Sequence, residues 1–412
     1  MAGEWAERPL GDVITLQRGF DLPSQKRKPG KVPIVSSSGI SDYHSEVGVK
    51  GPGVVTGRYG TIGQVFLIKE DYWPLNTTLW VKDFHGNDPH FASYLLRTVD
   101  FQSCSDKSSV PGVNRNDLHR IPVLLPPLAE QKAIAAVLGA LDDKIELNRR
   151  MNATLEAMAR ALFQSWFVDF DPVRAKLDGR PPASLDPATA ALFPASFQDS
   201  EAGHIPKAWT IQSVGDVVDC VGGGTPSTAE PKYWEGGTHH WTTPKDFSSL
   251  QAPILLDTDR KLTDAGIAKI SSGLLPAGTL LLSSRAPVGY LAIAAMPVGI
   301  NQGFIAMKCN ERASNFFMLN WCQTNMAEIE SRATGTTFAE ISKQNFRPIR
   351  VVLPPKELIA AFTAKVAPLY AQITANLHQS RTLATLRDTL LPKLLSGELS
   401  VDHLMAPAKE AM

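Results

Sequence analysis

"LLPPLAEQKAIAAVLGALDDKIELN" occupies Leu124–Asn148, and "VVLPPKELIAAFTAKVAPLYAQITAN" occupies Val351–Asn376. In each, a short run of Leu and Val ends in two prolines and a long helix-like pattern opens. Proline cannot donate to a strand ladder but is tolerated at the first turn of a helix, so each Leu-Pro-Pro marks a strand-to-helix corner. After the first corner, apolar residues recur at Ile134, Leu138, Leu141, Ile145, Leu155, Leu162 and Trp166. Steps of three and four predict a helix over about 128–167. After the second corner, Phe362, Val366, Leu369, Ile373, Leu377, Leu383 and Leu390 predict another over about 356–391.

A helix this long is seldom stable alone, and its apolar stripe needs a partner. The nearest partner for each is its own duplicate. An antiparallel pair about a pseudo-twofold axis would bring together Ile134, Leu141, Asn148, Leu155 and Leu162 with Leu369, Ile373, Asn376 and Leu383. Packing of each helix on its own globular part is the alternative. Asn148 and Asn376 stand at the same place after Pro127 and Pro355, so the pair is expected to make them neighbours. A polar residue in such a seam fixes register at some cost in stability.

The rest of the chain repeats as well. "PLGDVITLQRGF" (Pro9–Phe20) echoes "SVGDVVDCVGGG" (Ser213–Gly224), and "GRYGTIGQVFLI" (Gly57–Ile68) parallels "SRAPVGYLAIAA" (Ser284–Ala295). "LNTTLWV" (Leu75–Val81) parallels "INQGFIAM" (Ile300–Met307). Within each half, short strand-like runs such as "GVVTG" and "GTLLLSS" are split by Gly, Pro, Asn and Asp, with a few short helices such as "HFASYLLRTVD" between them. The expected fold is therefore α/β (α+β): two globular domains in tandem duplication, separated by two long antiparallel helices. The boundaries read as 1–126 for the first domain, 127–168 for the first helix, 169–208 for a partly ordered connector, 209–352 for the second domain, and 353–412 for the second helix and tail.

The chain of 412 residues carries 41 basic and 41 acidic groups, so any DNA binding must use locally clustered charge or share phosphate contacts with a partner. Cys104, Cys220, Cys309 and Cys322 form no C-x-x-C pair, which argues against a zinc site or disulfide framework and fits a reducing cytoplasm. The N-terminal residues show no apolar signal segment. The apolar window Leu274–Ile300 holds Pro276, Pro287 and Pro297 with Gly278, Gly289, Gly299 and Arg285, so it reads as strands joined by turns rather than a membrane span. The glycines of "GRYGTIG" are not spaced as G-x-G-x-x-G and precede a strand, so a nucleotide loop is not expected there.

"GGGTPSTAEPKYWEGGTHHWTTPKDF" (Gly222–Phe247) resembles the start of a target recognition domain in type I restriction–modification specificity subunits. "LPPLAEQKAIAAVLGALDDKIELNRRMNATLEAMARALFQSWFVDFDPVRAK" is similar to that family's central region, and "LRDTLLPKLLSGELSV" to its C-terminal end. "GRYGTIG" and "NQGF" match the same style. The resemblance implies a non-catalytic subunit whose two target recognition domains each read one half of a bipartite asymmetric site in double-stranded DNA. It also implies two modification subunits docked on the helices, carrying S-adenosylmethionine-dependent adenine methylation. Restriction subunits would supply ATP- and Mg-dependent cleavage, and this chain would hold no cofactor. A protein–protein scaffold with duplicated peptide-binding modules is the alternative function.

DNA contact needs forked donors, amides and hydroxyls on loops. Arg58 and Tyr59 sit in a glycine-flanked turn, and Arg285 occupies the equivalent turn. Each arginine suits a phosphate or a guanine, or else satisfies turn carbonyls. Ser109, Asn114 and Arg115 lie on one Gly/Pro-rich loop, and Arg332, Thr336 and Thr337 on its counterpart. They suit DNA, but Ser109 or Asn114 could instead cap a helix. Lys26 and Arg27 belong to a compact basic run that contacts phosphate or lies in solvent.

Overall fold

The strand Pro122–Leu125 stops at Pro126, and a helix of 40 residues runs from Leu128 to Phe167. The strand Arg350–Leu353 stops at Pro354, and a second helix of 40 residues runs from Lys356 to Leu395. This computed structural model describes residues 5–104, 112–335 and 339–401. The first corner is clamped by Gln131, whose Nε2 donates to Pro126 O at 2.9 Å and to Asn87 Oδ1 at 2.8 Å. The second helix passes beyond the expected 391 and through Pro392, because Leu394 and Leu395 are buried in a core that holds its last turn.

The chain divides into two compact units: residues 1–146 with 381–412, and residues 147–380. Each unit is a globular module together with adjoining parts of both long helices.

In the first unit, a four-stranded antiparallel sheet has the order Thr15–Arg18, Thr78–Asp83, Gly53–Gly57, Val65–Ile68. A three-stranded sheet has the order Gly39–His44, Val32–Ser36, Trp73–Pro74. Ala6–Pro9 pairs with Pro122–Leu125. The core gathers Leu10, Val54, Phe91 and Leu95 with Ile134 and Leu138 of the first long helix and Leu391 and Leu394 of the second. At the edge of this core, Arg387 Nη1 meets Asp142 Oδ1, while Arg97 Nη1 at 3.1 Å and the Tyr94 hydroxyl at 2.8 Å donate to Asp142 Oδ2. Burial pushes the Asp142 carboxyl up, but these hydrogen bonds and the two guanidinium charges outweigh it and hold the group below its usual range.

The second unit repeats the plan. Its larger sheet has the order Asp219–Gly222, Phe304–Lys308, Leu280–Ser284, Val288–Ala294, with Ile254–Leu255 added at the edge. The three-stranded sheet has the order Arg260–Leu262, His239–Thr242, Val298–Ile300, and Thr210–Ser213 pairs with Arg350–Leu353. The window Leu274–Ile300 is thus strands and turns. The core here is aromatic where the helices enter: Phe362 lies 5.9 Å from Phe163 and 5.2 Å from Phe167, centroid to centroid. Residues 169–208 do not form the partly ordered connector that the sequence suggests. They fold as helices Asp171–Leu177 and Pro187–Ala191 and the hairpin Phe197–Ser200 with Gly203–Pro206, and they bury Val173, Phe193 and Ile205 in this core. Their apolar residues are too irregularly spaced for a periodic signal, yet Val173, Phe193 and Ile205 find the aromatic end of the helix pair, while Leu177 and Leu192 stay exposed.

The two long helices run antiparallel within each unit. In the second unit, Asn148 Nδ2 donates to Gln379 Oε1 at 2.9 Å, to Ser380 Oγ at 3.2 Å and to Asn376 O at 3.3 Å. Asn376 Nδ2 donates to Asn152 Oδ1 at 2.9 Å. All three asparagines are buried. The deepest seam positions are Ala159, Phe163, Val366, Tyr370 and Ile373, while Leu155, Leu162 and Leu369 are half-buried beside them and Leu141 and Leu383 are half-buried elsewhere along the helices. A straight helix drifts about 20° per heptad, so a strict three-and-four count slides off the true seam. The second helix is long and apolar enough to cross a membrane by length and composition. Its buried stripe, however, is consumed by the two cores, and Lys365, Arg381, Arg387 and Lys393 interrupt its remaining faces.

Two outcomes follow from these contacts. Replacing Asn376 by Ala leaves Asn152 Oδ1 buried without its donor, and the second unit is expected to lose about 1–3 kcal/mol in denaturant unfolding; an unchanged midpoint contradicts the ladder. His119 Nε2 accepts the Leu16 N–H at 2.9 Å and so must be unprotonated there. Burial, then the charges of Arg115 and His85, lower its pKa. A depressed folded value gives stability that is present above the unfolded pKa of about 6.5 and lost as pH falls through the folded value. Unfolding at pH 7 and pH 5 is therefore expected to show a larger acid loss in the wild type than in His119→Gln. Equal losses contradict it.

Candidate nucleic-acid interface

Three turns meet at one end of the sheets in each module. In the first, the turns follow Val32–Ser36 and Gly53–Gly57 and precede Thr78–Asp83. The Arg58 and Tyr59 N–H groups both donate to Thr77 O, at 2.9 and 3.2 Å. Gly60 has φ +76°, and a Cβ there would lie 3.4 Å from Ser37 Oγ. The positive φ, rather than any lack of space, favours glycine here, and the turn brings Ser37, Arg58 and Thr77 together.

The Arg58 guanidinium lies over the Tyr59 ring at 4.5 Å from its centroid, and no carboxylate pairs with it among the described residues. Tyr59 in turn packs on Gly112, where a Cβ would come within 2.3 Å of its ring. Arg285, its counterpart, is engaged: Nη1 lies 3.7 Å from Glu340 Oε2. Arg285 shares a pocket of about 440 Å³ with Thr243, Lys245, Tyr290 and Asn301. Two backbone bonds fix this corner, Asn301 N–H to Thr242 O at 3.1 Å and Ser284 N–H to Gly303 O at 2.8 Å.

The other sequence candidates are placed unevenly. Asn114 caps the helix Arg115–Leu118, accepting the Asn116 N–H at 3.0 Å, and Arg115 is exposed in its first turn. Lys26 is exposed in a 3-10 turn. Arg27 is a strap: its Nη1 meets Asp42 Oδ2 at 2.9 Å, and its side chain is 26% exposed. Arg332 pairs with Glu328, one turn earlier, at 2.7 Å. Ser109, Thr336 and Thr337 lie outside the described residues.

Sequence reasoning missed Ser37, Asn76 and Thr77 in the first module and Lys245 and Asn301 in the second. The signal was the alignment of "LNTT" with "INQG", two repeats that match in polar character at a strand entrance where packing does not demand it. It also missed Arg260, whose guanidinium lies 3.5 Å over the Trp234 ring while Trp234 packs edge-on against Trp241. The gathered groups are guanidinium, ammonium, carboxamide and hydroxyl, the set that serves phosphates and base edges.

Residues 2–157 and 206–374 match the family described as the type I restriction modification DNA specificity domain. The HindI specificity subunit of Haemophilus influenzae is 26% identical over 336 residues, covering 72% of each chain. The MjaIX specificity subunit of Methanocaldococcus jannaschii is 33% identical over 163 residues, covering 39% of this chain and 38% of its own. The crystal structure of the S subunit of a type I restriction–modification system from M. genitalium shares the fold, with TM-score 0.56 and 16% identity over 95% of this chain and 96% of that one. The two matched segments each hold one module, and the chain belongs to the type I restriction–modification DNA specificity family.

Proposed function

We propose that this chain reads a bipartite site in double-stranded DNA, one half per module, and that its long helices set the gap between the halves. The observation that carries the reading is the apex built twice, from an arginine-bearing turn and an asparagine-bearing turn on the same sheet plan. Relatives named as specificity subunits of type I restriction enzymes support it. The chain is the address of a larger assembly and holds no cofactor of its own. Its net charge of zero suits a reader that shares phosphate neutralisation with partners. Two modification subunits, docked on the helices, would bring S-adenosylmethionine and adenine methylation. Restriction subunits would bring ATP and Mg, and the whole would work in the cytoplasm.

Replacing residues 209–352 by the corresponding domain of a relative tests the one-half-per-module reading. Methylation mapping in cells is expected to show one half of the motif changed and the other retained. A change in both halves contradicts it.

A further inference from the structure

Strand register makes Asn76 and Asn301 equivalent. Thr56 faces Leu79 and Ser283 faces Phe304, and counting back the same distance from Leu79 and Phe304 reaches Asn76 and Asn301. Gly19 and Gly223 agree: a Cβ on either would strike the next carbonyl back, Leu75 O at 2.2 Å or Ile300 O at 2.0 Å. The same tight crossing therefore holds the turn in each module. Counting two residues on from those glycines places Asp21 opposite Thr225.

The two asparagines are locked in opposite senses. Asn76 Nδ2 donates to Asp21 Oδ1. A carboxylate oxygen only accepts, so the amide nitrogen faces Asp21 and Oδ1 turns away. Asn301 Oδ1 accepts the Gly303 N–H at 2.8 Å. A backbone N–H only donates, so here the oxygen is held inward and Nδ2 turns away. Thr225, standing where Asp21 stands, bonds Gln302 Oε1 at 2.6 Å and offers Asn301 no carboxylate. Among the described residues, neither Asn76 Oδ1 nor Asn301 Nδ2 has another partner. Both side chains are half-buried, which restricts their rotation, and both stand beside the arginine-bearing turn.

We propose that Asn76 and Asn301 are specificity-determining residues of opposite polarity: Asn76 presents an acceptor and Asn301 a donor to the edge of a base. An acceptor selects the exocyclic amine of adenine or cytosine, and a donor selects O6 of guanine or O4 of thymine. The proposal rests on the modules being DNA readers and adds which class of base each takes at one position. Asp21 is a positioning residue, since it acts through Asn76.

The test is selection of duplexes from a randomised pool by the full chain, with thermal melting used to confirm that each variant is folded. The wild type is expected to enrich an amine-bearing base at one position of one half and a keto-bearing base at one position of the other. Asn301→Asp keeps the oxygen for the Gly303 N–H but turns an acceptor outward. It is expected to shift the keto position toward adenine or cytosine by roughly three- to tenfold in relative enrichment. Asn301→Ala should flatten that position alone. Asp21→Asn, which lets the Asn76 carboxamide turn over, should flatten the position in the other half alone. Unmoved preferences, or changes in both halves from one substitution, overturn the proposal. So does loss of all binding by folded Asn301→Asp and Asn301→Ala, because one base-edge bond does not carry the affinity. A wild-type chain that enriches no motif would instead sink the DNA-reading function itself.

Discussion

A helix of forty residues with an apolar stripe cannot stand in water alone, and the structure depends on how that stripe is covered. Each long helix gives one end to each of two cores. Ile134 and Leu138 enter the same core as Leu391 and Leu394, and Phe163 and Phe167 the same core as Phe362 and Val366. A half-chain would therefore leave each of its stripes uncovered. The asparagine ladder supplies register within this seam. Sliding one helix by a turn would strand Asn148, Asn152 and Asn376 in an apolar layer, each without its partner.

The duplication kept the plan and changed the chemistry. In the first unit the helix pair is tied to its module by Asp142 with Arg387, Arg97 and Tyr94. In the second, aromatic rings fill the same role: Phe163 and Phe167 of the first helix pack on Phe317 of the module at 5.4 and 5.2 Å between centroids, and Phe362 of the second helix packs edge to face on both. A similar divergence marks the apices: Arg58 stacks on Tyr59, whereas Arg285 is drawn to Glu340. Equal architecture with unequal side chains is what the proposed reading of an asymmetric site requires, since identical modules would read identical halves.

Legibility in the sequence followed the range of the interaction responsible. Proline acts on its neighbours, so the two corners and both helix starts could be read directly. Helical periodicity is also local, and it found Ile134, Ile373 and the central asparagines but drifted off the seam at Leu141 and Leu383. The repeated blocks revealed two equivalent modules because the comparison was internal. Long-range pairings were invisible. Nothing near Arg27 announces Asp42, nothing near Arg285 announces Glu340, and nothing in residues 169–208 announces the aromatic core that folds them. The candidate DNA-contacting set was half seen for the same reason: arginine and glycine mark a turn by themselves, whereas Asn76 and Asn301 gain meaning only from the groups that lock them.

The central claim is that one helix pair governs the gap between two half-sites. Seven residues inserted into each long helix beside Asn148 and Asn376 would keep the seam in phase. At about 1.5 Å per residue the pair lengthens by roughly 10 Å, or about three base pairs. Mapping the methylated motif in cells carrying this variant measures the gap directly. The account expects both half-site sequences unchanged and a gap about three base pairs longer; an active variant with the original gap would contradict it.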